Sequence, residues 1–260
     1  MNDASKSGIG CQNLTISVPG RRLIDALELD AAPGEFIAVL GPNGVGKSLA
    51  LHSLAGVRAP DLGSITLGGE DVAGLTRQQV ALSVALLPQY TEDFFPATVF
   101  DTVMIGRHPH IGRLSWESDE DFGIARQSLS EVDLADFANR DVLTLSGGER
   151  RRLAVAQVLT QSPNVFLLDE PTNHLDPQHQ LDVLRIFRNL ANDGKTVLAS
   201  LHDVNLAARF ADRCLLLFGD GRWKIGVTGD LLDSSELSDL YHTPMETVPW
   251  HHRQLFVAAG

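Results

Sequence analysis

Residues 41–48 read GPNGVGKS and lie between an apolar run, FIAVL at 36–40, and a helix-period run, SLALHSLAGV at 48–57. This string constrains the fold more than any other in the chain. It fits G-x-x-x-x-G-K-[ST], and its flanks are the strand and the helix which that pattern needs. Glycines at 41, 44 and 46, with Pro42, Asn43 and Val45 among them, let the backbone turn so that successive N–H groups face phosphate oxygens. The following helix aims its N-terminus at the same point, Lys47 neutralises the β and γ phosphates, and the Ser48 hydroxyl is placed to ligate Mg2+. A Gly-rich turn without a ligand has the same composition, so the rest of the chain must decide.

Further short apolar runs end in Gly, Asp or His: VFLL at 165–168, TVLAS at 196–200 and CLLLF at 214–218. They read as buried, mainly parallel strands. LTISV at 14–18 and LIDALEL at 23–29 alternate apolar with polar or small residues, as half-buried antiparallel strands do. Between about 100 and 140 the text becomes acidic and helix-periodic, which predicts an inserted helical piece. With 260 residues, 43% of them hydrophobic, one large α/β domain can bury its own core. A net charge of −12 repels polyanions, which argues against nucleic acid and bare anionic membrane as partners. Cys11 and Cys214 lack Cys-x-x-Cys spacing and suit a reducing compartment. No stretch reaches the roughly 18 to 20 apolar residues of a membrane span, so spans serving this protein would come from another chain.

The run VFLLDE at 165–170 ends a strand in two carboxylates. Asp169 there helps hold Mg2+ and Glu170 meets the attacking water as general base, unless the pair merely caps the next helix. LSGGERRR at 145–152 sets Ser146, Gly147 and Gly148 at a helix start, where N–H groups and a hydroxyl can receive a γ-phosphate or form a plain cap. Arg150, Arg151 and Arg152 fan over about 200° of helix, which makes a solvated helix start and not a basic stripe. The acidic run at 116–121 reads as a solvated face. His108 and His110, like His242, His251 and His252, lack the convergence of a metal site.

In order, the chain carries GPNGVGKS, Gln89 in LLPQ, LSGGERRR, VFLLDE, Asp176 in NHLD and His202 in SLHD. This set resembles the ATP-binding-cassette (ABC) ATPases, from about residue 10 to about residue 245. The resemblance implies a P-loop NTPase cassette over 10–245, with a mainly parallel core sheet, an N-terminal antiparallel β layer and a helical subdomain inserted at roughly 95–160. Residues 246–260 are then a short C-terminal tail. It also implies ATP and Mg2+ as cofactors, and two cassettes packed head to tail, each ATP lying between one copy's phosphate loop and the other's LSGGE. A homodimer, or a heterodimer with a close relative, meets that need. By the same resemblance Gln89 senses Mg2+ and the attacking water, His202 contacts the γ-phosphate and Asp176 couples the two sites.

Two departures carry consequences. Many cassettes stack adenine on an aromatic residue where this chain has Val18, in SVPGRR, so stacking falls to Arg21 or Arg22 or is weaker by about 1 kcal/mol. Equilibrium titration is then expected to show ATP preferred over GTP by less than about a hundredfold. The hydroxyl that usually follows the loop serine is Leu49 here, which removes an α-phosphate contact.

Finer likeness lies in SVPGRRLI, FFPATVFDTVMIGRHPH, HDVNLAARFADRCLLL and YHTPMETVP. These are similar to ATPase subunits of importers for iron-siderophores, heme and vitamin B12, with the ferric-hydroxamate type nearest in texture. Such a system implies a permease dimer, a substrate-binding protein outside the inner membrane, and a bacterial ATPase on the cytoplasmic face. Phe94, Phe95, Val99, Phe100, Val103, Met104 and Ile105 form either a groove wall for a permease helix or the helical piece's own core. A soluble cassette that remodels a non-membrane assembly, or the ATPase of an exporter, shares the same motor.

Overall fold

The computed structural model describes residues 8–89, 96–112, 115–251 and 253–259. The chain opens with an antiparallel pair, β1 (Ile9–Val18) and β2 (Arg21–Ala31), then runs through β3 (Phe36–Leu40) into α1 (Lys47–Leu54). Next, β4 (Leu62–Leu67) and β5 (Glu70–Asp71) return to the first pair and complete an antiparallel sheet of order β2-β1-β4-β5. α2 (Arg77–Ser83) leads into β6 (Val84–Leu87), after which α3 (Val99–Met104), α4 (Asp119–Glu131) and α5 (Gly147–Gln161) pack on one another. Strand and helix then alternate: β7 (Val165–Asp169), α6 (Pro177–Asn192), β8 (Thr196–Ser200), α7 (Val204–Phe210) and β9 (Arg213–Leu217). β10 (Trp223–Val227), α8 (Thr228–Leu231), α9 (Ser234–Tyr241) and a hairpin of β11 (Met245–Trp250) with β12 (Arg253–Ala258) close the fold.

β3, β7 and β8 are buried at every position, which only a strand covered on both faces allows. They sit inside a six-stranded sheet of order β10-β9-β3-β8-β7-β6, parallel except for β10. Period-two alternation divides their side chains between two cores. Phe36, Ala38, Leu40, Phe166 and Leu168 join the core shared with α5, α6 and the helical piece. Ile37, Val39, Val165 and Leu167 join the core shared with α1 and the antiparallel sheet. Phe166 meets Phe187 of α6 edge to face, with ring centroids 5.5 Å apart. The result is the expected α/β class: a mainly parallel core sheet, an N-terminal antiparallel layer and a helical piece between strands.

The sequence reading omitted β6, whose four apolar residues follow α2 without punctuation, and the terminal hairpin. The hairpin is fastened by Phe256, which is buried, while its backbone N–H and C=O pair with the Asn205 amide at 2.8 and 3.1 Å. Among the described residues no helix is long and apolar enough to cross a membrane. Val99, Val103 and Met104 lie in the core with α4 and α5, and Phe100 stacks on Phe122, so these four serve the helical piece itself. Ile105 is 46% exposed, while Phe94 and Phe95 lie outside the described residues.

The acidic run is not uniformly a solvated face. Trp116 is exposed, but Asp121 is buried and meets Arg107 Nε at 2.7 Å while accepting from the Ser118 N–H at 2.9 Å. Its place is set by the capping box that starts α4, a local feature that turns one acid of the run inward. The Ser118 hydrogen bonds first, then Arg107, hold its carboxyl at about 2. A depressed folded-state pKa gives stability that is present above the ordinary Asp range and lost as pH falls through the folded value. Asp121→Asn is therefore expected to cost about 2 kcal/mol at neutral pH, with the difference from the parent fading between about pH 4 and pH 2, as read by urea melts across that range.

Candidate functional site

Four parallel strands finish at one edge of the core sheet, and each delivers a polar side chain there. β3 runs into the loop at 41–46, β8 into Ser200 and His202, β7 into Asp169 and Glu170, and β6 into Gln89. Pairing of Leu87 with Leu168 and of Asp169 with Ser200 keeps these ends level. The crevice beyond the carboxyl ends of a parallel sheet is the usual place for a ligand in an α/β fold.

The loop is built on glycine conformations. Gly41, Gly44 and Gly46 have φ of 148°, 77° and 106°. At Gly41 a side chain is also barred by space, because a Cβ would lie 2.3 Å from the Leu217 carbonyl oxygen. Gly46 caps α1 without a side-chain hydrogen bond, leaving first-turn amides for another acceptor. Lys47 is buried, and its Nζ donates to the carbonyls of Gly41 at 2.7 Å and Pro42 at 3.1 Å. Burial pushes the Lys47 pKa below its usual value, against the opposing charges of Glu170 and Asp169. Asn43, Gly44, Gly46, Lys47, Ser48 and Leu49 line one wall of a cleft of about 600 Å3, and Gln89, Glu170, Asn173 and His202 also line it.

The Glu170 carboxylate is gripped from three sides. Its Oε2 accepts from Gln89 Nε2 at 2.6 Å and from the Asn173 amide, and its Oε1 lies 2.6 Å from His202 Nε2. Its φ of 51° puts the residue in the left-handed region, a strained geometry that the neighbouring bonds hold in place. Ser200 Oγ accepts from the Glu170 N–H at 2.8 Å and donates to Asp169 Oδ1 at 2.7 Å. Asp169 Oδ2 is buried with no hydrogen-bond partner among the described residues. An orphaned carboxylate oxygen is costly unless something else satisfies it, and its place one residue from Glu170 fits a divalent cation.

Ser146, Gly147 and Gly148 stand elsewhere. Ser146 and Gly147 are exposed at the start of α5, and Ser146 exchanges capping bonds with Glu149. Within one chain they do not line the cleft with Lys47. Asp176 caps α6 through the His179 N–H at 3.0 Å and meets His179 Nδ1 at 2.8 Å, bonds that hold its carboxyl below the usual range. Between the two arginines beside Val18, Arg21 lines the cleft and donates Nε to the Gly219 carbonyl at 2.8 Å, whereas Arg22 pairs with Asp25 at 3.0 Å.

Arg151 overturns the reading of residues 150–152 as a solvated helix start. It is 5% exposed and bonded to backbone carbonyls of the two loops that carry Gln89 and Glu170. The angular fan that rules out a basic stripe is the same geometry that turns this one inward. Sequence reasoning also missed Asn173 and Ser200. Asn173 lies three residues after Glu170, and Ser200 is the polar end of an otherwise apolar strand, so both were visible as polar residues beside a carboxylate or a strand end.

Residues 24–173 match the sequence profile of the ABC transporter family. The hemin import ATP-binding protein HmuV of Gloeobacter violaceus is 40% identical over 237 residues, covering 88% of this chain and 83% of that one. The achromobactin transport ATP-binding protein CbrD of Dickeya dadantii is 34% identical, covering 98% and 96%. Among solved structures, a metal-chelate type ABC transporter in an inward-facing conformation superposes with a TM-score of 0.84 at 30% identity, covering 97% of this chain and 98% of that one. The chain belongs to the ABC transporter family, as one of its nucleotide-binding, ATP-hydrolysing subunits.

Proposed function

We propose that this chain powers a bacterial importer of a metal chelate, hydrolysing ATP as a head-to-tail homodimer on the cytoplasmic face of the inner membrane. The observation that carries the hydrolytic part is the Glu170 carboxylate, held by Gln89, Asn173 and His202 in the cleft that Lys47 also lines. The loop amides of residues 41–46 and Lys47 receive the phosphates, with Leu49 withholding a hydroxyl there. Ser48, Asp169 and, through its amide oxygen, Gln89 would hold Mg2+, which supplies charge neutralisation across the phosphate oxygens when bound. Glu170 takes a proton from the attacking water, while His202 stays near the γ-phosphate. Ser146, Gly147 and Gly148 lie too far round the same chain to serve its own cleft, which supports a role on the ATP of a second copy, with Asp176 between the two sites. The cassette spans 10–245 in this reading, with roughly 95–160 as its helical subdomain and 246–260 as its tail.

Import of a metal chelate is supported by the hemin and achromobactin relatives and by the metal-chelate type transporter structure. Spans must then come from a permease dimer, fed by a substrate-binding protein outside the membrane. Tagged chain drawn from native membranes in mild detergent is expected to bring a polytopic permease in two-to-two ratio. The binding protein of that system, tested against heme, ferric siderophores and cobalamin, names the cargo. Recovery only from the soluble fraction with a ribosomal or repair partner would mean a remodelling ATPase, and a permease whose vesicles expel substrate would mean export.

A further inference from the structure

Three adjacent arginines near the start of α5 point to three different places. Arg150 turns back to the carbonyls of Leu143 and Leu145, Arg152 reaches those of Val132 and Asp133, and Arg151 goes inward. A guanidinium has five N–H donors in a fixed plane. Those of Arg151 meet five backbone carbonyls: Nη1 reaches Pro88 at 2.7 Å and Gln89 at 3.4 Å, Nη2 reaches Asp169 at 2.6 Å and Glu170 at 2.8 Å, and Nε reaches Pro171 at 3.3 Å. Among the described residues no carboxylate shares the fork. Burial draws its pKa down to about 10, against the nearby charges of Asp169 and Glu170.

These five carbonyls belong to two loops that leave neighbouring parallel strands, the one after β6, which carries Gln89, and the one after β7, which carries Glu170, and the Gln89–Glu170 hydrogen bond joins them across 81 residues of sequence. Arg151 stands on α5, the helix that Ser146 caps and Gly147 and Gly148 begin. We infer that Arg151 is a positioning residue for hydrolysis, a brace that fixes the Gln89 and Glu170 loops to each other and to the start of α5. Its five bonds all go to backbone carbonyls. Its action is to hold the Gln89 amide against Glu170 and keep that carboxylate in its left-handed backbone geometry, so that movement of the start of α5 is felt at both loops. The inference rests on the proposed roles of Glu170 and Gln89.

Lys cannot replace the fork, because its three donors radiate from one nitrogen. Arg151→Met keeps the stem and removes all five bonds; Arg151→Lys keeps a cation and is the second variant should the first fail to fold. In the full-length chain with Mg-ATP, both are expected to lower kcat, by about tenfold to a hundredfold for Met, while the dissociation constant for ATP stays within about twofold. Amide hydrogen exchange should rise together at Gln89 and at Asp169 and Glu170, the residues of the two loops that keep an N–H beside Pro88 and Pro171. A fold-maintenance role alone gives a lower Tm with kcat per folded chain unchanged, and that result overturns the inference, as does a loss of ATP affinity equal to the loss of kcat. Glu170→Gln, measured alongside, separates the two failures. If it hydrolyses ATP normally, the catalytic reading fails; if it is inactive while the Arg151 variants turn over normally, only the brace fails.

Discussion

Glu170→Gln is expected to bind Mg-ATP within about threefold of the parent and to hydrolyse it about 10²- to 10⁴-fold more slowly. The substitution keeps shape and volume, so the cleft should persist. The amide oxygen can accept from Gln89 and Asn173 as Oε2 does now, and the amide nitrogen can face His202 Nε2, where Oε1 lies at present. What disappears is a basic oxygen able to take the proton of the attacking water. ATP that binds and is not consumed should hold two copies together, so size-exclusion chromatography with Mg-ATP should show a dimer that persists for hours, against a transient one for the parent. Single-turnover phosphate release separates this from slow product exit. A variant with parental turnover would remove Glu170 from the role of base. A variant that no longer binds ATP would mean that the carboxylate serves the ground state.

The parts of this fold legible in the sequence are those where one physical cause dominates. FIAVL, VFLLD and TVLAS admit no face for water, and their alternation divides cleanly between the two cores. VALL at 84–87 is equally apolar, with only Leu86 partly exposed, but too short to separate from the end of α2 by pattern alone. At the site, residues whose chemistry is carried by a local string could be read: glycines at a turn that requires positive φ, a lysine on the loop, carboxylates at a strand end. Arg151 could not be read, because its partners are backbone carbonyls, which leave no mark on composition, and Pro88 stands 63 residues away. Asp121 looked like one more surface acid because its partner Arg107 lies outside the acidic run. Ser200 acts by bridging Asp169 and the Glu170 amide across neighbouring strands, a relation that exists only once the strand order is known. Legibility thus followed the range of the interaction more than its importance.

Lys47→Ala should produce the second large effect, and at binding instead of turnover. Lys47 Nζ donates to the Gly41 and Pro42 carbonyls inside a buried site, a place where neutral acceptors compensate a cation poorly. A phosphate group offers charge-assisted hydrogen bonds that these carbonyls cannot match. Truncating a buried, charge-paired side chain costs about 2–4 kcal/mol, so the dissociation constant for Mg-ATP should rise by about 30- to 1,000-fold. Stability without nucleotide should move in the other direction or scarcely at all. Because burial lowers the folded-state pKa of Lys47, its charge opposes folding below that pKa, and the opposition fades as pH rises through it. Alanine removes both the two hydrogen bonds and the buried charge, which offset each other to about 1 kcal/mol. Paired thermal melts make the distinction: Mg-ATP at a hundred times the parental dissociation constant stabilises the parent by about 2.7 kcal/mol and should stabilise the variant by about 0.9 kcal/mol or less. Equal stabilisation of both would mean that the loop amides and the start of α1 hold the phosphates without the lysine, and that the side chain is there to shape the loop.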